Sequence, residues 1–260
     1  MNKFTSTLAA MALSALPVMA QADTYVLVHG AFQDASGWEA VGDVLRAEGH
    51  TVVAIDLPGR DAEGAAAQAV SLQDYIDTTV AAVEAADEPV ILVGHSFGGM
   101  TISAAAEAVP DQIERLVYVA AYVPLSGESM EKLALSDTDN HFEETTFVIA
   151  KDYSYATLLP DHQVKVFAQG ATPEQAAQLQ ASMIREPLAP IATPVALTDE
   201  RFGTVDKAFI RTLEDRTVST PLQTMMIERA RIENVADIAG GHAPYLTRPD
   251  ALTALLLDLS

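Results

Sequence analysis

Val90 to Met100 reads VILVGHSFGGM. Four apolar residues, Val90 to Val93, run directly into Gly94-His95-Ser96-Phe97-Gly98. A short unbroken apolar run ended by glycine predicts a strand buried on both faces. The alanine-rich stretch from Gly99 to Ala108 predicts a helix packed close to its neighbours. Gly-x-Ser-x-Gly between such a strand and such a helix is a nucleophile elbow. The turn is so tight that the positions two before and two after the serine must lack bulk, and Gly94 and Gly98 meet that demand. It lifts the Ser96 hydroxyl out at the positive end of the helix, where the Phe97 N–H can also face a developing oxyanion. The bland alternative is a serine that sits by chance in a glycine-rich turn.

A serine hydroxyl is nearly inert at neutral pH and needs a base to take its proton as it attacks. Imidazole suits that task, and a carboxylate must hold its tautomer. Elbows of this kind take their partners in the chain order serine, acid, histidine. Ser96, Asp215 and His242 give that order, each just after a predicted strand. His242 lies in a Gly-Gly-His turn, where a histidine has no packing purpose. For the acid, Glu214 is the direct competitor and Asp199 and Glu128 are remoter ones, but Asp215 has the better register after the strand KAFIRT. His95 is expected to pack beneath the elbow and His29 to shape the turn ahead of Gly30. His50, His141 and His162 read as ordinary surface or cap residues. The second oxyanion donor is expected to be the N–H of Ala31, since Gly30 lets that loop bend toward Ser96.

Outward from this centre, strands and helices alternate. Thr24–Val28 and Thr51–Ile55 read as strands, with a helix between them on Trp38, Val41 and Leu45. Gly64 to Val70 reads as an irregular loop. Ser71 opens a helix with Asp74 at its third position and an apolar face of Leu72, Ile76, Val80 and Val83. Ile113 to Ala121, Lys207 to Thr212 and Asn234 to Ile238 are further strands. Thr220 reads as a helix cap with Pro221 first and Gln223 completing a capping box. Strand and helix in alternation predict an α/β fold, a mostly parallel sheet with helices on both faces and sites at the carboxyl ends of the strands. Residues 124–205 interrupt that rhythm with six prolines and six aromatics and are expected to form an inserted, mainly helical cap. The core is then 23–123 together with 206–260.

The first 22 residues read as a secretory signal peptide: Lys3, an apolar run from Leu8 to Met19, and Ala20-Gln21-Ala22 as a cleavage site. That run is too short to span a bilayer and contains Pro17. The expectation is an exported protein, periplasmic or secreted, free of the membrane after cleavage. With no cysteines, packing rather than disulfides must hold the fold, and no thiol can act as nucleophile or ligand. The six histidines lack metal-ligand spacing, so no metal and no cofactor is expected. A net charge of −21 serves solubility, repels nucleic acid and anionic membrane surfaces, and favours neutral esters, amides or lactones over free acids as substrates.

YVLVHGAF, Trp38, GHTVVAIDLPG, VILVGHSFGGM, LEDRTV and GGHAPYLTRPDAL together resemble the α/β-hydrolase superfamily. More narrowly they are similar to its methylesterase and hydroxynitrile lyase branch with the bacterial esterase relatives. The match covers the core on both sides of the cap and is loose within it. The resemblance implies an α/β-hydrolase fold and a Ser96–Asp215–His242 triad acting on a small-molecule ester. Lyases of that branch carry threonine at the place of Gly30 and lysine at the place of Ala243, so both departures favour ester hydrolysis. Plant esterases of the branch tend to offer a cap tryptophan, and Trp38 is the only tryptophan here. A hydroxynitrile lyase and a non-catalytic small-molecule receptor are the alternative readings on the same fold. Dehalogenases and epoxide hydrolases need aspartate where Ser96 stands.

Overall fold

The computed structural model describes residues 22–143 and 145–260. All but the last residue of the expected signal peptide therefore lies outside the described residues. In chain order the first half carries β1 (Thr24–Val28), α1 (Glu39–Ala47), β2 (Thr51–Ile55), α2 (Gly64–Gln68), α3 (Leu72–Glu84), β3 (Val90–His95), α4 (Gly98–Ala108) and β4 (Ile113–Val119). The middle carries α5 (Met130–Ser136), β5 (Phe147–Ile149), β6 (Tyr155–Leu158), α6 (Pro160–Phe167), α7 (Pro173–Ser182), β7 (Glu186–Pro187) and α8 (Leu188–Ala192). The chain closes with β8 (Asp206–Thr212), α9 (Thr220–Arg229), β9 (Asn234–Ile238), α10 (Pro244–Thr247) and α11 (Pro249–Leu259).

Six strands form one sheet in the order β2-β1-β3-β4-β8-β9, every pair parallel. The chain moves from β1 outward to β2 and returns past it to β3, so the direction of winding reverses between β1 and β3. That reversal opens a crevice at the carboxyl ends of those two strands. β3 is buried throughout because it is apolar on both faces and lies inside the sheet, whereas β2 and β9, at the two edges, keep several exposed residues. α4 is buried from Gly98 to Ala106, and its small side chains let it lie close against β1, β3, β4 and α3. On the other pairing, α1 packs against α11. Among the described residues no helix is long and apolar enough to cross a membrane.

Two local expectations are corrected, and that of a mainly helical cap is extended. Gly64–Gln68 is a short helix rather than a loop, begun by Gly64 at φ +53 and carried by three alanines that favour helix. The cap contains, besides its helices, an antiparallel sheet in the order β5-β6-β7. Its strands are two to four residues long, too short to leave a periodic signature. The cap of α9 is Ser219, whose hydroxyl accepts from the Leu222 N–H at 3.2 Å, not Thr220. The capping box at Ser71 and Asp74 forms as expected, while the best-buried face of α3 is Leu72, Tyr75, Thr79 and Val83, with Ile76 and Val80 half-buried beside it.

Candidate active site

The elbow shows why its sequence is so constrained. Ser96 adopts φ +53, a left-handed conformation that costs a non-glycine residue about 1–3 kcal/mol. Tight packing on both sides holds it there. A Cβ at Gly94 would stand 2.8 Å from the Gly98 carbonyl oxygen, and one at Gly98 would stand 2.8 Å from that of Val28. The Ser96 N–H donates to the Val119 carbonyl at 3.2 Å, and the Ser96 carbonyl accepts from Tyr122 N–H at 3.1 Å, which ties the elbow to the end of β4.

The structure brings Ser96, His242 and Asp215 together. His242 Nε2 lies 2.8 Å from Ser96 Oγ, and His242 Nδ1 lies 2.8 Å from Asp215 Oδ2. All three residues are buried. Asp215 also accepts the amides of Thr217 (2.8 Å) and Val218 (3.0 Å) on Oδ1, and Thr212 Oγ1 (2.9 Å) and Gln223 Nε2 (3.2 Å) on Oδ2. A carboxylate so fully supplied with donors stays in place and aims its free lone pair at the imidazole. The competing acids stand elsewhere. Glu214 and Asp199 are exposed, and both oxygens of Glu128 are engaged by Arg229.

Two further histidines support the site without joining it. The Leu57 N–H donates to His29 Nε2 at 3.1 Å, so the ring proton sits on Nδ1, which donates to the Gly30 carbonyl at 2.8 Å. Burial, with the Arg60 charge adding to it, pushes the His29 pKa down to about 3, so the ring is neutral. His95 donates from Nε2 to the His242 carbonyl at 2.8 Å, and its ring centroid lies 4.7 Å from that of His242. Its pKa is likewise pushed well down, first by burial and then by the nearby His242. His95 thus packs under the elbow as expected and also holds the backbone of the base.

Ala31 and Phe97 flank Ser96 from β1 and from the start of α4. Among the described residues neither N–H donates to a protein acceptor, which leaves both available to an oxyanion. A Cβ at Gly30 would lie 2.8 Å from both His95 Nδ1 and Ser96 Cβ, so the threonine of the lyases has no room at this position. Over the serine opens a cavity of about 400 Å³ between sheet and cap. Ala31, Phe32, Met130, Phe142, Phe147, Phe167, Leu188 and Ile191 give it an apolar wall, with Glu131, Asp137, Asn140 and Thr217 as polar points beside Ser96. Phe167 meets the His242 ring edge-on at 5.0 Å, and Phe32 stacks on Phe147 at 5.6 Å. Trp38 lies away from this wall, against Tyr245 and His95. Among the described residues no three histidine or acidic side chains converge as metal ligands would.

The residues that sequence reasoning missed are those that hold Asp215 and the cap. Gln223, expected in a capping box, points inward to Asp215 and Thr212 instead, because Ser219 takes the cap one residue earlier. No sequence signal separates the two roles for a glutamine at that spacing.

A site of this geometry at the winding reversal of a parallel sheet defines a serine hydrolase architecture. Residues 25–255 match the model of the alpha/beta hydrolase family, and the chain belongs to that family. Methylesterases are among the proteins it is similar to. A chloroplastic Arabidopsis thaliana protein whose name places it among the methylesterases, as number 11, is 32% identical over 247 residues, covering 91% of this chain. This chain spans 63% of the length of that relative. Salicylic acid-binding protein 2 of Nicotiana tabacum is 29% identical, over 93% of this chain and 98% of its own length. The crystal structure of polyneuridine aldehyde esterase superposes with a TM-score of 0.82 at 25% identity, covering 92% of this chain and 99% of that one.

Proposed function

We propose that the protein is a serine hydrolase that cleaves carboxylic esters of small, neutral, largely apolar substrates through an acyl-enzyme. One observation carries this reading: the hydrogen-bonded relay from Asp215 through His242 to Ser96 opens onto an apolar cavity. Ser96 Oγ attacks the ester carbonyl while His242 Nε2 takes its proton. Asp215 holds the imidazole in the tautomer that presents a bare Nε2 and stabilises the imidazolium that forms. The Ala31 and Phe97 amides receive the negative oxygen of the tetrahedral intermediate. His242 then gives its proton to the leaving alcohol, and a water activated by the same nitrogen releases the acid. Esterases among the similar proteins support the ester as substrate class, and the missing room for threonine at position 30 supports hydrolysis over lyase chemistry.

Ser96→Ala should lower kcat on p-nitrophenyl acetate on the order of 10⁶-fold, by analogy with serine proteases. Retention of most turnover in that variant would remove Ser96 from its role. A panel of esters and lactones then defines the substrate, with mandelonitrile and tight binding without turnover as the outcomes that would replace this reading. We also propose export, on the strength of the leader-like pattern over residues 1–22. Protein recovered from outside the cytoplasm should begin at Asp23, and a mature chain that retains Met1 contradicts the proposal.

A further inference from the structure

The loop that carries the Ala31 amide is held by the cap through one buried carboxylate. Phe32 follows Ala31 and adopts φ +63, a conformation a phenylalanine does not keep without outside support. Both of its backbone polar groups are taken by the cap segment 184–186. The Phe32 N–H donates to Glu186 Oε2 at 2.8 Å, and the Phe32 carbonyl accepts the Ile184 N–H at 3.1 Å. Glu186 is wholly buried. Its Oε1 accepts the Tyr75 hydroxyl from α3 at 3.0 Å, and its Oε2 pairs with the Arg60 guanidinium. Arg60 also lies over the Tyr75 ring, 5.2 Å from its centre. In β7, Glu186 is paired with Ala156 of β6, so the carboxylate is anchored in the cap sheet while its oxygens face the core.

Holding a carboxylate in the interior is costly unless it is fully partnered, and apolar residues would join cap and core at no such cost. What an apolar residue cannot do is fix the peptide between Ala31 and Phe32. That peptide adjoins the one whose N–H serves the carbonyl oxygen's developing charge above Ser96, and its orientation sets where the Ala31 amide points. We propose that Glu186 is a positioning residue for the oxyanion hole: it clamps the Phe32 N–H, and through it the Ala31 amide, so that the cap sets the strength of transition-state stabilisation. This rests on the serine-hydrolase reading above. Arg60 and Tyr75 keep the carboxylate aimed, with Arg60 supplying the counter-charge.

The test compares wild type with Glu186→Gln. A glutamine keeps the size but loses the charge that pairs with Arg60 and one of two acceptor oxygens. The expected result is a kcat for p-nitrophenyl acetate lowered about tenfold to a hundredfold, the scale of a misplaced catalytic group, with KM changed less than threefold. Affinity for a trifluoromethyl ketone, which adds reversibly to the serine and places an oxyanion in the same hole, should fall by the same factor. A folded variant with a lowered Tm but wild-type kcat and wild-type ketone affinity overturns the proposal and leaves Glu186 as a structural tie. Should the variant not fold, hydrogen exchange in the wild-type protein decides. The Phe32 amide must be protected to the level of the central strands with no ligand bound, and exchange at the rate of an open loop overturns the clamp. Labelling of wild-type Ser96 by a fluorophosphonate, done in parallel, reports on the serine-hydrolase reading alone, so the two failures stay distinct.

Discussion

At the scale of single residues, the site depends on side chains whose neighbours leave them no alternative. Ser96 keeps a left-handed backbone because Val119 at the end of β4 bonds its N–H and Tyr122 just beyond bonds its carbonyl, and because glycines on either side admit the close backbone contacts. Register favours Asp215 over Glu214, and the two adjacent acids face opposite ways, one buried against His242 and one into solvent. Asp215→Asn should therefore lower kcat about 10⁴-fold, because an amide can favour the wrong imidazole tautomer while keeping the shape. Glu214→Gln should stay within about twofold of wild type, since an exposed charge touches no reacting group. Steady-state kinetics of the pair side by side check both, and an inactive Glu214→Gln would reverse the assignment.

At the scale of elements, α9 does more than cover the sheet. Its first turn begins at the Ser219 cap, which brings Gln223 under Asp215, where one amide group serves Asp215, Thr212 and the Val218 carbonyl. Replacing it by leucine, of similar size, leaves a buried threonine hydroxyl and an aspartate each short of a partner. Gln223→Leu should cost about 1–3 kcal/mol of stability and also reduce kcat, because Asp215 loses a donor that fixes its rotamer. Urea unfolding alongside kinetics checks this, and a variant as stable and as active as wild type would show that the remaining donors suffice. The cap divides in the same way. Its mainly helical character was legible, and its three short strands were not, since a strand of two residues such as β7 is defined by its partner rather than by its own pattern.

For the whole molecule, acid is the condition most telling about its construction. His29 and His95 are buried and neutral in the folded chain but take protons near pH 6.5 when unfolded. Below that pH the unfolded state binds more protons, so stability present at neutral pH is lost as pH falls from about 6.5 toward the His29 value of about 3. Each such histidine contributes a slope of about 1.4 kcal/mol per pH unit, or roughly 3 kcal/mol per unit for the two together. Glu107 and Glu128, whose bonds to Thr198 and Arg229 hold their pKa values down against burial, add loss of the same sign lower in the acid range. The urea midpoint should thus drop clearly between pH 7 and pH 5, and an unchanged midpoint would contradict neutral burial of these rings.

The sequence by itself determined the elbow, the order of serine, acid and histidine, and the parallel sheet that carries them. These leave local marks: a glycine spacing, an apolar run and a turn residue can each be read within a few positions of the chain. Only the tertiary structure decided what surrounds them. That Gln223 supports the acid, that His95 holds the base from behind, and that Glu186 in the cap reaches Phe32 beside the oxyanion loop all depend on residues far apart in sequence meeting in the interior. There a buried polar group must find whatever donor or acceptor the packing brings to it, and nothing in the spacing of the chain announces which one that is.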